Sequence, residues 1–200
     1  DSDYTGLATN ENGTWWIRNG IVAFDYNGLV TSGKDRLYIN GGRVNYDYTG
    51  LVSDSSGWWY VKAGKVDTGY TDFVQYDGRW WYVENGSLSF DTRGLFWGTV
   101  DGMTAWWSVG AGQLDRSETI THNEYGWWYT KNGTVDFNYT GLANNENGWW
   151  YVKDGKVDFS YYGFAQNSYG WWYAEAGKVS MDKDTIVPGR VKGTNGWWRI

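Results

Sequence analysis

Adjacent tryptophans recur through this sequence, as in the segment NGWWYVKDGKVDF at residues 147–159, and could bind a ligand by stacking. The face of an indole is the negative end of a quadrupole and attracts C–H groups of slight positive charge, such as those of a sugar ring. We predict that the first Trp of each pair binds ligand, together with the Tyr that follows two residues later where one is present. These candidates are Trp58, Trp80, Trp106, Trp127, Trp149 and Trp171, with Tyr60, Tyr82, Tyr129, Tyr151 and Tyr173.

Small polar side chains are predicted to lie beside these rings. If the strands continue in register past each turn, the opposite pairs are Asp91 with Trp80, Asn138 with Trp127, and Asp182 with Trp171. A carboxylate or an amide can form hydrogen bonds with hydroxyl groups. A flat apolar ring beside such a group matches the two sides of a sugar, so the pattern favours a polysaccharide ligand.

The elements that would position these residues repeat along the chain. A glycine follows each aromatic segment at intervals of 21 to 26 residues, at Gly20, Gly42, Gly64, Gly86, Gly112, Gly133, Gly155 and Gly177. The preceding residue is usually Asn, Asp or Gly, and these dipeptides favour two-residue hairpin turns. Each unit is therefore predicted to be a β-hairpin, with another turn type expected where Ala63, Ala111 or Ala176 precedes the glycine.

Strand alternation assigns the residues of each predicted hairpin to two faces. A turn at Asp154-Gly155 pairs Val152 with Val157 and Trp150 with Phe159, which places these four side chains on one face. Trp149 and Tyr151 then lie on the other face. We predict that the second Trp of each pair is in the core and that the first Trp points outward.

An isolated hairpin is only marginally stable in water, so the repeats must bury apolar surface against one another. The sequence therefore predicts an all-β fold, a β-solenoid of eight to nine stacked β-hairpin repeats. Four extra residues between Gly86 and Gly112 predict a kink that divides the array into lobes of about 1–95 and 96–200. The stacking also leaves an alternative open, because an outward Trp could pack against the next hairpin.

Composition excludes several classes of function. The net charge of −6 is unsuited to binding nucleic acid, whose phosphates attract positive surfaces. There is no Cys, and no apolar run is long enough for a membrane helix, so we expect no membrane insertion. We expect a secreted or bacterial cell-surface location, within a larger multidomain protein.

Catalytic and metal chemistry are not favoured. Asp67, Asp115, Asp136 and Asp158 occupy the same repeat position, which indicates turn support or hydrogen bonds to a ligand more than a pair of catalytic carboxylates. His122 is the only histidine, so a catalytic triad or a histidine metal site lacks partners. We predict a non-catalytic protein with no cofactor and no metal.

The pattern TGLxxNENGWWYVKxGKVDFSY, best seen at 49–70 and 140–161, resembles the cell-wall-binding repeats of choline-binding proteins, the glucan-binding repeats of glucansucrases, and clostridial toxin repeats. The resemblance implies a hairpin solenoid that holds choline, glucans or surface glycans between successive hairpins. In choline-binding repeats, a Trp after the linker completes a three-sided aromatic cage. The matching residues here are Leu29, Leu51, Leu142 and Phe164, and an aliphatic side chain there weakens a cation–π site.

Taken with a looser resemblance to Trp-rich starch-capture modules of gut Firmicutes, these features predict a carbohydrate-binding module. The predicted ligand is an α-glucan such as starch or dextran. Two alternatives remain open at this point: anchoring to a Gram-positive cell wall through choline or teichoic acid, and adhesion to a protein through exposed aromatic residues.

Overall fold

The computed structural model describes residues 2–181 and 183–200, and over these residues all of the regular elements are β-strands. The prediction of an all-β fold of hairpin repeats is confirmed. Eight long hairpins are formed by β1 (Gly6–Asn10) and β2 (Gly13–Arg18), β4 (Gly28–Ser32) and β5 (Asp35–Asn40), β7 (Gly50–Asp54) and β8 (Gly57–Lys62), β10 (Asp72–Tyr76) and β11 (Arg79–Val83), β16 (Thr119–Asn123) and β17 (Gly126–Lys131), β19 (Gly141–Asn145) and β20 (Gly148–Lys153), β22 (Gly163–Asn167) and β23 (Gly170–Glu175), and β25 (Ile186–Val191) and β26 (Thr194–Arg199).

Short two-residue strands follow most of these hairpins and join successive repeats. They are β3 (Ile21–Val22), β6 (Arg43–Val44), β9 (Lys65–Val66), β12 (Ser87–Leu88), β15 (Gln113–Leu114), β18 (Thr134–Val135), β21 (Lys156–Val157) and β24 (Lys178–Val179). A ninth long hairpin is formed by β13 (Gly94–Val100) and β14 (Met103–Gly110). A short strand such as β21 pairs both with β20 before it and with β17 of the preceding hairpin. The ladder therefore continues from one repeat to the next.

The predicted hairpin at Asp154-Gly155 is present but is much shorter than expected. Strand pairing across it covers only Val152 with Val157 and Lys153 with Lys156, while the long partner of β20 is the preceding strand β19. The chain turns away after Val157, where the Asp158 carboxylate accepts hydrogen bonds from the Ser160 amide and hydroxyl at 2.9 and 2.6 Å. These bonds lower the pKa of Asp158.

The same carboxylate turn recurs at the other aspartates of this repeat position. Asp67, Asp115 and Asp136 each accept a bond from the backbone amide two residues later, at 2.9 to 3.0 Å. A side-chain acceptor that bonds its own backbone in this way stabilises a turn. The prediction that these aspartates support turns is confirmed.

The expectation of a different turn at the Ala-Gly sites is wrong. Ala63, Ala111 and Ala176 have φ values of 48 to 53°, in the same left-handed region as Asn85 and Asp154. This conformation costs an L-residue such as Ala about 1–2 kcal/mol. The following glycines lie against the preceding repeat, so a change of turn geometry would disturb that contact: a Cβ added to Gly64 would lie 2.5 Å from a backbone oxygen.

The core lies between successive hairpins, and an interior hairpin such as β19–β20 buries side chains on both of its faces. In one cluster, Ile120 and Tyr129 of the β16–β17 hairpin pack against Ala143 and Val152 of the next hairpin and Val157 of β21. Val152 is fully buried. This stacking of one hairpin on the next is the arrangement of a β-solenoid, as predicted.

The chain divides into two compact units. Unit 1 contains residues 1–92, 98–103 and 110–114, and unit 2 contains residues 93–97, 104–109 and 115–200. In unit 1, strands are ordered β1-β2-β6-β5-β9-β8-β12, and in unit 2 the order includes β18-β17-β21-β20-β24-β23-β22. The division into two lobes near residue 95 remains a prediction.

Tyrosines fix the linker that leads into each long hairpin. The hydroxyl groups of Tyr48, Tyr70 and Tyr139 each donate to the backbone carbonyl three residues later, at 2.6 to 3.0 Å. Burial, together with the nearby charge of Asp72, raises the pKa of Tyr70 to about 12. Among the described residues, no helix has the length and apolar character needed to cross a membrane.

Candidate binding pockets between successive hairpins

The predicted outward tyrosines are not an exposed surface. Tyr60, Tyr82 and Tyr129 are buried, at 8%, 5% and 4% exposure, while Tyr151 and Tyr173 are half-buried. The prediction of an outward face is wrong for the three buried rings, because the face that is outer for one hairpin is covered by the next. Tyr129, for example, stacks on Tyr139 of the following linker with ring centroids 3.9 Å apart.

The predicted division between an inner and an outer Trp is confirmed for one candidate pair, in which Trp107 is buried beside the half-buried Trp106, and is wrong for the other candidate pairs. Both Trp149 and Trp150 are half-buried, and the candidates at first positions, namely Trp58, Trp80, Trp106, Trp127 and Trp171, are half-buried as well. Trp149 packs in a cluster with Leu142, Ala165 and Val179, on the side of the next hairpin. The alternative, in which the outer rings pack against the next repeat, describes this arrangement.

The predicted polar partners are not opposite the tryptophans. The residue opposite Trp80 is Gln75, and the residue opposite Trp127 is His122, because the long partner strand precedes the Trp pair. Likewise Gln166 lies opposite Trp171.

Asp91 and Asn138 are exposed residues of the turns that follow the short strands. Asp182 lies outside the described residues.

An open pocket lies where two successive hairpins meet in unit 2. Its walls are Trp127 from one hairpin, Trp150 from the next, and Phe159 from the turn that follows, with Ile120 and Val157 at its base. Asn147 and Lys178 also contact this space, which has a volume of about 260 Å³. We call it the Trp150 pocket.

An equivalent pocket occurs in unit 1. Trp58, Trp81 and Phe90 form its walls, with Leu51 and Leu88 at its base, and its volume is about 380 Å³. Tyr76, Asp77 and Arg79 complete its lining. We call it the Trp81 pocket, and the two pockets use the same repeat positions for all three aromatic walls.

The aromatic walls stand nearly at right angles. Trp150 and Phe159 have ring centroids 5.8 Å apart and an interplanar angle of 77°, and Trp81 and Phe90 are 5.7 Å apart at 87°. Trp128 and Phe137 repeat this geometry at 5.8 Å and 72°. Walls at right angles enclose a compact group better than they stack on the single flat face of a sugar ring.

A side-chain amide holds the Trp150 ring in place. Asn145 accepts hydrogen bonds from the Trp150 indole N–H at 3.1 Å and from the Asn147 backbone amide at 3.0 Å. Asn123 and Asn167 hold Trp128 and Trp172 in the same way. The indole edge is thus fixed inside the hairpin, and the ring forms a wall of the pocket.

Sequence reasoning missed the phenylalanines. It placed Phe159 on the buried face with Trp150, but Phe159 is 51% exposed and Phe90 is 50% exposed. A signal was present in the sequence, because a Phe follows the second Trp by nine residues in several repeats. These residues are Phe24, Phe90, Phe137 and Phe159, after Trp15, Trp81, Trp128 and Trp150.

These phenylalanines remove the sequence argument against an aromatic cage. The expected cage position after the linker holds Leu29, Leu51 or Leu142, and these residues are buried in the core. The third aromatic wall comes instead from Phe90 or Phe159. Three rings around a small open pocket can bind an organic cation through cation–π attraction.

Lysine side chains already use this attraction at some of the rings. The Lys156 ammonium lies 5.0 Å from the centroid of Trp128, and the Lys178 ammonium lies 5.2 Å from that of Trp150. The geometry of the second Trp therefore suits a cation. No cluster of His, Asp or Glu among the described residues is arranged to hold a metal ion.

A sequence model of the choline-binding repeat matches six segments that together cover more than half of the chain: residues 3–23, 47–67, 69–89, 118–136, 138–158 and 160–180. No curated protein sequence matches the chain.

Solved structures with similarity to the chain come from Streptococcus pneumoniae. Choline binding protein F is 21% identical, with a TM-score of 0.35, over 86% of this chain and 58% of that protein. CbpJ of strain TIGR4 is 16% identical, with a TM-score of 0.36, over 98% of this chain and 70% of that protein. The modular autolysin LytC is 14% identical, with a TM-score of 0.24, over 95% of this chain and 50% of that protein.

Proposed function

Because the chain belongs to the choline-binding repeat family, we propose that its inter-hairpin pockets bind choline and that the module anchors to choline-bearing polymers of a bacterial cell wall. The observation that supports this most directly is the set of three aromatic walls in the Trp150 and Trp81 pockets. A quaternary ammonium is compact and positively charged, and it can contact all three rings at once. A location at the cell surface, a non-catalytic role for this module, and its place within a larger multidomain protein are parts of the same proposal.

The predicted α-glucan ligand is supported less well. That prediction required a line of open Trp and Tyr faces, but the first-position tryptophans are half-buried and three of the tyrosines are buried. A glucan chain also needs an extended surface, whereas the observed pockets are separate and small. Repetition of small sites would still increase affinity for a polymer that displays many choline groups.

The proposal is tested by isothermal titration with choline and by retention on a choline-bearing matrix. We expect the protein to be retained and to elute with free choline. The double variant Trp81→Ala/Trp150→Ala removes one wall from each pocket, and loss of about 2 kcal/mol of cation–π attraction weakens each site roughly 30-fold.

Trp197→Ala is a matched control, since Trp197 is 73% exposed and lines neither pocket. Its retention should equal that of the wild type. The proposal would be overturned if the protein were retained on starch or dextran and were released by maltooligosaccharides but not by choline. Equal retention of the double variant and the wild type would show that the two pockets are not the choline-binding sites.

A further inference from the structure

The two pockets share three aromatic walls but differ in their other lining residues and in the residue paired with the second Trp. Backbone pairing between successive repeats places Lys178 opposite Trp150, and it places Gln113 opposite Trp81. The Lys178 ammonium lies 5.2 Å from the centre of the Trp150 ring and contacts the pocket. The Trp150 pocket therefore has a lysine in its lining, whereas Gln113 is not among the residues that line the Trp81 pocket.

The other charges near Lys178 do not cancel this one. Glu175 is paired with Lys178 across the short hairpin, but its carboxylate forms an ion pair with Lys183. Lys178 has no ion-pair partner within residues 2–181 and 183–200. The Trp150 pocket therefore has a lysine in its lining that is available to a bound molecule.

The charges of the Trp81 pocket are balanced. Asp77 and Arg79 both contact this pocket, and one carboxylate offsets one guanidinium. Asp77 also attracts a bound cation. A quaternary ammonium in this pocket meets three rings with no net positive charge among the lining residues.

These differences act in opposite directions on two related ligands. An ammonium at the wall repels the quaternary ammonium of free choline, but it attracts the phosphate of a choline phosphate ester. A lysine on its flexible four-carbon stem can reach a phosphate at the pocket mouth.

On the basis of the proposed choline function, we propose that the Trp150 pocket prefers a phosphate ester of choline to free choline and that Lys178 determines this preference. The Trp81 pocket lacks this preference.

Site-resolved NMR titration of the full chain tests the difference. The indole N–H groups of Trp150 and Trp81 give separate signals from the two pockets, and the probes are choline chloride and phosphocholine at pH 8, where imidazole side chains are neutral. We expect the ratio of phosphocholine to choline affinity to be roughly tenfold higher at Trp150 than at Trp81, as for two partly hydrated charges about 5 Å apart.

Reciprocal variants give the matched comparison. Lys178→Gln should reduce the ratio at Trp150 to that at Trp81, and Gln113→Lys should raise the ratio at Trp81. Both sites are on the surface of short strands, and the other indole signals of the same spectrum report whether each variant is folded.

Equal ratios in the two pockets, or a ratio at Trp150 that Lys178→Gln leaves unchanged, would overturn the role of Lys178 while choline binding itself stands. If neither choline nor phosphocholine binds to the protein, the proposed function is refuted instead. If the preference holds, purified choline-bearing teichoic acid and phosphatidylcholine vesicles, added separately, distinguish a wall polymer from a lipid headgroup as the source of the ester.

Discussion

Replacement of Asn145 by alanine is expected to destabilise the protein through the loss of three hydrogen bonds. The side chain accepts from the Trp150 indole and the Asn147 amide, and it donates to the Ile120 carbonyl at 3.3 Å. The bonds to Trp150 and Ile120 are partly buried and contribute about 1 kcal/mol each, while the bond to the more exposed Asn147 amide contributes about 0.5 kcal/mol. The expected loss in the free energy of unfolding is therefore about 2–3 kcal/mol.

Urea unfolding monitored by circular dichroism measures this loss. The matched control is Asn144→Ala, since Asn144 is the same residue type one position earlier and its side chain is exposed. Because β-strand neighbours point to opposite faces, the control should change stability by less than about 0.5 kcal/mol. Equal stability of the two variants would refute the argument that the Asn145 amide holds Trp150 in place.

Choline affinity gives a second measurement on the same variant. If Asn145 fixes the Trp150 wall, its loss weakens binding in the Trp150 pocket and leaves the Trp81 pocket unchanged. The Trp81 pocket does not depend on Asn145, because the Trp81 indole N–H donates to the backbone carbonyl of Tyr76 instead. Equal weakening of both pockets would indicate a general loss of structure instead.

Further predictions concern the turns, the linker and the ligand charge. Ala63→Asn should raise the free energy of unfolding by about 0.5–1 kcal/mol, since φ at this residue is 48° and Asn tolerates the left-handed region better than Ala; an unchanged urea midpoint would contradict this. Gly155→Ala should lower the free energy of unfolding by about 2 kcal/mol or more, because the added Cβ would lie 2.6 Å from the Asp136 carbonyl oxygen at a φ of +77°. The raised pKa of Tyr70, about 12 against an ordinary 10.0, means that the folded state holds the phenol proton more tightly than the unfolded state. Its contribution to stability is complete below pH 10 and is lost as the pH rises from 10 to 12, so Tyr70→Phe should reduce the fall in stability measured over that range. The neutral analogue 3,3-dimethyl-1-butanol, which has carbon in place of the choline nitrogen, should bind about 30-fold more weakly by titration calorimetry; equal affinity would show that the rings act through apolar contact alone.

Local signals in the sequence were sufficient for the repeat and for its turns. The spacing of the turn glycines predicted the hairpins, because Asn-Gly and Asp-Gly at positions such as Asp154-Gly155 favour one turn conformation regardless of distant contacts. The role of the recurring aspartates was also predictable, since the Asp158 carboxylate accepts its hydrogen bonds from Ser160, two residues away.

The length of each strand pairing was not predictable from the turn alone. The turn at Asp154-Gly155 allows pairing to continue to Ser160, and only the competing bonds of Asp158 end it after Val157. In the repeat of Trp80, the Ser89 hydroxyl accepts a hydrogen bond from the Asp91 backbone amide at 3.2 Å, and the residue opposite Trp80 is Gln75, so the expected pair of Asp91 with Trp80 was wrong.

The sequence by itself determined an all-β array of hairpins rich in aromatic residues, because turn propensity and strand alternation are local properties. Only the tertiary structure decided which rings line the pockets between hairpins. An interior hairpin such as β19–β20 is covered on both faces by neighbouring repeats, so alternation does not distinguish an inner from an outer ring there. The Trp150 pocket combines Trp127 of one repeat with Phe159 of the next. Residues that are far apart in the chain form one cage because apolar burial stacks the hairpins.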